Sequence, residues 1–367
     1  MDLRTLNRTT LQRQLLLGRS SGLSPYEAIR HLVALQGQDP NPPYLGLWSR
    51  LESFTLDALT GLLHGRQVVR SSLLRGTQHL CAAEDYVWLR PLMQAPMSRA
   101  RQGSFGRATR DLDLEQFAKH ARELLEGRTL TRPELAALLM ERYPGYDKLA
   151  LGWSAQALLP LVHTPPNGTW NRRGATPFTL AEEWIGRPVE SAPPVERLIT
   201  RYLAAFGPAT VKDVQTWSGL TRLREVMEAM PLRRHGELYD LPDAPVADPG
   251  TPAPARFLPW FDNLVIAHAD RSRLMSEQAR RRVCPGGSLV YPTFLVDGIV
   301  GGIWDFVDGD LVILPFDPVA DDDAAELTAE GGRMLAFAGF EAGSVTWMPP
   351  HDGTTTTWPP STWPGPR

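Results

Sequence analysis

The chain has 367 residues, 43% of them hydrophobic and 11 of them tryptophan. That is enough for two or three packed domains and excludes a predominantly disordered chain. The formal charge of −3 excludes an overall basic polypeptide, but not DNA binding, since acids and bases can be segregated on different faces.

In chain order the pattern reads as three similar units of short helices followed by a small β-hairpin. The first covers roughly residues 1–110. Helical periodicity runs from Leu6 to Leu17, and Ser24-Pro25 is a helix start leading into Tyr26–Leu35. Thr55 caps a helix over Leu56–Leu63. Strand-like runs at 68–74 and 79–82 then flank Arg75-Gly76-Thr77, and a helix covers Ala83–Met93. This is the outline of a winged helix. The second unit, 111–190, carries helices at Leu114–Leu125, Thr131–Tyr143 and Leu149–Leu159, the middle one opened by a Thr131/Glu134 capping box. A hairpin is expected between Val162-His163 and 170–173. The third, 191–245, has helices at Val195–Ala205, Thr210–Ser218 and Thr221–Met230 and a short strand at Tyr239. The openings "LSPYEAIRHL", "LTRPELAALL" and "ATVKDVQTWS" share one design, a cap before a short amphipathic helix.

Residues 244–256 read as a linker. Beyond it, strands are expected at 264–266, 289–291, 293–296, 299–304 and 311–314, with hairpin turns at Asp297-Gly298 and Asp308-Gly309. A closing helix spans Leu327–Phe340, giving a β-rich region over 255–345 and an irregular tail over 346–367. The predicted fold class is α+β: three tandem winged-helix units, scaffolding one curved surface, plus a C-terminal β-rich part.

Cys81 and Cys284 are the only cysteines, too few and too distant for a zinc site or a disulfide framework. No apolar run reaches 18 residues, so no membrane helix is expected. The N-terminus lacks a basic segment followed by an apolar core, so a cytoplasmic chain is expected. No dinucleotide, phosphate-loop, zincin or nucleophile-elbow motif occurs, so neither metal nor cofactor is implied. Only Lys119, Lys148 and Lys212 are lysines among 38 basic residues. That bias fits either GC-rich codon usage or forked phosphate contacts. The acids Asp321, Asp322, Asp323 and Glu326 lie apart from the arginine-rich stretches. Gln36-Gly37-Gln38 is by itself compatible with a polar helix end terminated at Gly37. His79 is compatible with a plain strand residue, and Arg280-Arg281-Arg282 with a solvated face.

Three segments change that balance: "LNRTTLQRQLLLGRS", "HLVALQGQDPNPPYLGLWSRL" and "SSLLRGTQHLCAAEDYVWLRPLM". They are joined by "FLPWFDNLVIAHADRSRLM" and "YPTFLVDGIVGGIW". Together they resemble the tandem winged-helix DNA glycosylases of the AlkZ/YcaQ superfamily over most of residues 1–315. The Gln-x-Gln triplet is similar to that of the AlkZ branch, with one departure: Gly37 stands where the family carries a larger apolar residue. The resemblance implies a monofunctional DNA glycosylase acting as a monomer on double-stranded DNA with alkylated purines, including bulky natural-product adducts and interstrand crosslinks. Its setting would be self-resistance in an actinobacterium or general alkylation repair. It implies that the curved surface is a concave DNA-binding cleft, with Gln36 and Gln38 as the catalytic pair. Alkylation at N7 of guanine or N3 of adenine already makes the base a neutral leaving group, so two amides suffice to orient water and stabilise the sugar. A site without arginine would also repel the cationic base least.

Expected DNA contacts are Arg75, Thr77 and His79 on the first wing and Arg172 and Arg173 on the second. Arg271, Arg273, Arg280, Arg281 and Arg282 are expected nearer the cleft, and Arg99, Arg101, Arg107 and Arg110 on phosphates. The rival readings are a winged-helix transcriptional regulator and a damage-recognising DNA-binding protein, both without chemistry.

Overall fold

The structure, a computed structural model, describes residues 1–286 and 288–350. Most of the tail expected at 346–367 lies outside the described residues. The chain begins with α1 (Leu3–Arg13), capped by Asp2, and α2 (Pro25–His31), whose Ser24 and Glu27 form a reciprocal capping box. Both helices end earlier than their periodicity suggests, because Leu15 and Val33 take left-handed φ values of 59° and 70°. The chain then extends into the two-residue strand β1 (Leu35–Gln36), so the glutamine triplet begins on a strand and does not close a helix. There follow α3 (Pro42–Trp48), α4 (Leu56–His64), β2 (Val68–Ser72), β3 (Gln78–Ala82), α5 (Ala83–Leu92) and α6 (Gln94–Phe105).

The middle of the chain carries α7 (Leu114–Leu125), α8 (Arg132–Arg142) with the expected Thr131/Glu134 box, α9 (Lys148–Leu158), β4 (Leu161–His163), β5 (Phe178–Leu180) and α10 (Ala181–Ile185). Strand β4 pairs with β5, from Leu161 opposite Leu180 to His163 opposite Phe178, and not with 170–173. Residues 168–172 instead form a tight turn closed by Gly168 N–H donating to the Arg172 carbonyl at 2.9 Å, with Asn171 in the left-handed region at φ 57°. Next come α11 (Val195–Phe206), α12 (Val211–Ser218), α13 (Arg224–Ala229) and the hairpin β6 (Arg233–His235) and β7 (Leu238–Asp240).

The last third contains β8 (Arg256–Leu258), α14 (Asn263–Ile266), α15 (Glu277–Val283), β9 (Thr293–Val296), β10 (Ile299–Val307), β11 (Asp310–Pro315), α16 (Asp321–Ala338) and β12 (Val345–Trp347). Residues 264–266 are helical rather than extended because Asp262 caps the Leu264 N–H. Residues 289–291 are irregular. The hairpin turn at Asp297-Gly298 forms with both residues at positive φ, as a two-residue turn of this hand requires.

Two five-stranded sheets organise the chain. The first runs β1-β3-β2-β4-β5, so one sheet crosses from the first stretch into the second; the other runs β12-β11-β10-β9-β8. The cores are likewise shared. One packs Val69 and Trp88 against Tyr202, Phe206 and Trp217. Another packs Tyr44, Trp48 and Leu80 against Phe257, Phe294 and Trp304. The second of these seats the C-terminal sheet against α3 and the strand that carries the glutamines.

Candidate active site

Gln36 pairs with His79 across the β1–β3 ladder, and the Gly37 N–H donates to the Gln78 carbonyl at 2.8 Å. Gln36 is 8% exposed, at the edge of burial, whereas Gln38 is exposed. Each side-chain carbonyl has a donor. Arg75 Nη2 reaches Gln36 Oε1 at 3.2 Å, and the Gln78 N–H reaches Gln38 Oε1 at 3.4 Å. Gly37 is explained by its neighbours, since a Cβ there would stand 2.5 Å from Leu80 Cδ1 in a fully buried position. The triplet's backbone is clamped by Arg70. Its Nε donates to the Gly37 carbonyl at 2.8 Å and its Nη2 to the Gln38 carbonyl at 3.2 Å.

The expectation of a site free of arginine is therefore not met. Burial pushes the Arg70 and Arg75 guanidinium groups down to about 10, Asp39 opposing the shift at Arg70 and Arg271 adding to it at Arg75. Both guanidinium groups donate to carbonyls: Arg70 to the triplet's backbone, Arg75 to Gln36 Oε1 and, at 2.5 Å, to the Trp217 carbonyl. Arg75 is part of the site's scaffold rather than an open phosphate contact. It sits at φ 54°, an unusual conformation for a side-chain-bearing residue.

Gln36 lines a small crevice between β1, α3 and the 259–263 segment, with Pro42, Pro259, Phe261 and Asn263 among its walls. That segment is anchored by a buried, bidentate pair: Arg50 Nη1 and Nη2 reach the two oxygens of Asp262 at 2.9 Å each. Asn263 Nδ2 donates to the Ala34 carbonyl at 2.6 Å, while the buried Asn263 Oδ1 has no hydrogen-bond partner among the described residues. Asn263 and Asp262 belong to "PWFDN", part of the stretch that carries the family resemblance. Nothing in their local pattern marks them as neighbours of a glutamine more than two hundred positions earlier.

The remaining expected residues fall into three groups. His79 is completely buried, its Nδ1 against the Thr77 carbonyl at 2.9 Å. Burial and the nearby Arg75 push its imidazole down to about 3. It is a neutral strand residue, not a DNA contact. Arg273 is also buried, donating to Thr10 Oγ1 and the Pro208 carbonyl, and Arg101 is buried against Thr109 and Ser154. Neither is presented to a duplex. Thr77 is half-buried and donates back to the Leu74 carbonyl. A second group is exposed: Arg172 and Arg173 on the loop after β4, with Arg107 and Arg110, and Arg99 donating to the Gly219 carbonyl. Arg173 pairs with Asp39 at 2.8 Å, which ties that loop to the residue following Gln38. The third group surrounds α15. Arg280 and Arg281 pair with Glu277, Arg282 lies over the Phe316 ring, and the half-buried Arg271 donates to the His268 carbonyl and Cys284 Sγ.

Among the described residues no helix is long and apolar enough to cross a membrane, and no group of three or more histidine, cysteine or acidic side chains is arranged to hold a metal ion.

Comparison with known proteins gives a consistent picture. The family described as DNA glycosylase AlkZ-like matches residues 29–337. A protein of Streptomyces sahachiroi, the "Interstrand DNA cross-link repair glycosylase", is 25% identical over 346 residues, covering 83% of this chain and 88% of that protein. Among solved structures, the Streptomyces sahachiroi DNA glycosylase AlkZ is similar with a TM-score of 0.78 at 22% identity, over 95% of this chain and 100% of that one, so the mixed α and β fold is shared.

Proposed function

This chain belongs to the AlkZ-like DNA glycosylase family, enzymes that hydrolyse N-glycosyl bonds. From that membership we propose that it releases N7-alkylguanine and N3-alkyladenine from double-stranded DNA, bulky adducts and crosslinked purines included, leaving an abasic site. In this reading it is a cytoplasmic monomer. Its units at 1–110, 111–190 and 191–245 are winged helices which, with the 255–345 region, enclose a concave cleft. The biological setting would be alkylation repair or self-resistance to a DNA-alkylating natural product.

The chemistry follows from the substrate. Alkylation has already made the purine a cation, so as the C1′–N bond breaks its electron pair neutralises the departing base. Water adds to C1′ and loses its proton to solvent. Gln36 and Gln38 need only hold that water and turn carbonyl dipoles toward the cationic sugar. Gln36 Oε1 has a second lone pair beyond the one engaged by Arg75, on a side chain that lines the crevice. The observation that carries this reading is the Gln36 amide, anchored by Arg75 at the wall of the crevice. No lysine lies near the triplet in sequence to form a Schiff base, which favours a monofunctional enzyme.

Arg172, Arg173, Arg271, Arg280, Arg281 and Arg282 remain the proposed DNA contacts. The pairs of Arg173 with Asp39 and of Arg280 and Arg281 with Glu277 lie at the surface, where an ion pair contributes little and is exchangeable for a phosphate. The test is alkali-revealed base release from N7-methylguanine duplex. Gln36→Ala and Gln38→Ala should each lose excision while retaining DNA affinity. Wild-type excision by both variants would refute the assignment, and tight operator binding without base release would favour a regulator.

A further inference from the structure

Beside the Gln36 crevice lies a second, larger opening whose composition does not suit a nucleic-acid backbone. It offers a cavity of roughly 360 Å³, open to solvent, and borders the crevice, sharing Pro42, Trp260 and Phe261 with it. Its walls include the half-buried rings of Trp170, Trp260, Phe306 and Phe340. Its charged groups are Asp39, Asp305, Asp308 and Arg173, and Arg173 is already paired with Asp39. The cleft thus sets three carboxyl groups and several aromatic rings against one guanidinium in a protein whose family acts on DNA.

Chain topology delivers these walls deliberately. Trp170 sits on the loop between β4 and β5, held edge-on against Tyr44 and Phe337. The loop is latched next to the catalytic triplet by two Asn41–Asn171 hydrogen bonds of 2.8 Å and by the Arg173–Asp39 pair. On the opposite side, β10 presents Asp305 and Phe306, and the Trp260 indole N–H donates to Asp305 Oδ1 at 3.4 Å.

We propose that this aromatic, acid-floored cleft binds the body of a bulky alkyl adduct while it is still attached to the purine, selecting planar rings that carry hydrogen-bond donors or a positive charge. The proposal rests on the glycosylase reading and adds to it the place where the body of a bulky adduct is held and the ring chemistry that place selects. Planar rings gain from offset or edge-on contact with the wall aromatics, and a cation gains further from their faces. Desolvation holds the Asp305 carboxyl near neutrality, with its proton half retained at about pH 7, so it can accept from a cationic donor or itself donate to a ligand carbonyl. A methyl lesion would leave the cleft unused.

Two duplexes separate the outcomes, one carrying N7-methylguanine and one carrying N7-[4-(aminomethyl)benzyl]guanine. Wild-type enzyme should excise the second with the higher kcat/KM, and Trp170→Leu, Phe306→Leu and Asp305→Asn should each lower that preference about tenfold. Equal slowing on both substrates, or no preference in the wild type, would overturn the proposal. In parallel, quenching of tryptophan fluorescence by the free benzylated base should weaken about tenfold in Asp305→Asn, a variant that retains the packing of the walls. If the benzylated base binds but neither duplex is cleaved, the glycosylase reading fails and the cleft stands. If both duplexes are cleaved and neither preference nor quenching responds to the variants, the cleft assignment fails and the glycosylase reading stands.

Discussion

Replacing Arg75 by methionine tests whether the proposed catalytic amide of Gln36 is held or merely present. The substitution keeps an unbranched stem and deletes the guanidinium that reaches Gln36 Oε1 at 3.2 Å and the Trp217 carbonyl at 2.5 Å. Hydrogen bonds from a charged donor are worth about 1.5–3 kcal/mol each. Against them stand desolvation and the nearby Arg271, which lower the guanidinium to about 10, a cost of roughly 3 kcal/mol. The two contributions nearly cancel, so the variant should stay folded, with a stability loss of about 1–2 kcal/mol. The larger effect is on rate. An amide free to rotate loses the orientation that a water-positioning group needs, which costs about tenfold to a hundredfold in kcat with little change in KM. Single-turnover excision of N7-methylguanine, run beside thermal melting, measures both. Arg75→Lys, able to satisfy only one of the two acceptors, should fall between. A folded Arg75→Met enzyme cleaving at the wild-type rate would refute the positioning argument.

Other consequences follow from the same geometry. Gly37→Val drives a side chain into the buried Leu80 and should cost about 1–3 kcal/mol; Leu80→Ala in the same chain should recover part of that loss in a denaturation double-mutant cycle, and strict additivity would contradict the packing account. The Asp305 carboxyl, raised by burial from 3.8 to about 7, contributes stability that is complete below about pH 4 and is lost as pH rises through 7. Unfolding free energy of the wild type relative to Asp305→Asn should therefore decline over that interval, by at most about 1.4 kcal/mol per pH unit, and parallel curves would exclude the shift. His79→Leu should leave the salt dependence of DNA binding unchanged, because the imidazole is buried and neutral. Arg172→Ala, at an exposed arginine, should reduce the slope of log affinity against log salt by about one. The reverse pattern would restore His79 as a contact.

What the sequence determined by itself was local. The Ser24-Pro25 helix start, the Thr131/Glu134 box, the periodicity of residues 114–125 and the Asp297-Gly298 turn each encode structure within a few positions, and each forms as read. The glutamine triplet was legible too, although only its family context separated it from an ordinary polar run. The tertiary structure decided the rest. It started the triplet on a strand paired with β3, sent β4 to β5, and buried His79, Arg101 and Arg273 while leaving Arg172 exposed. An arginine looks the same in sequence whether it meets a phosphate or caps a carbonyl. Which of these it does depends on what lies beside it in space. At this site the neighbours are Asp262 against Arg50, Asn263 against Ala34 and Trp217 against Arg75, separated by 212, 229 and 142 positions along the chain. Contacts of that range are fixed by how the cores close together, and no local pattern of residues encodes them.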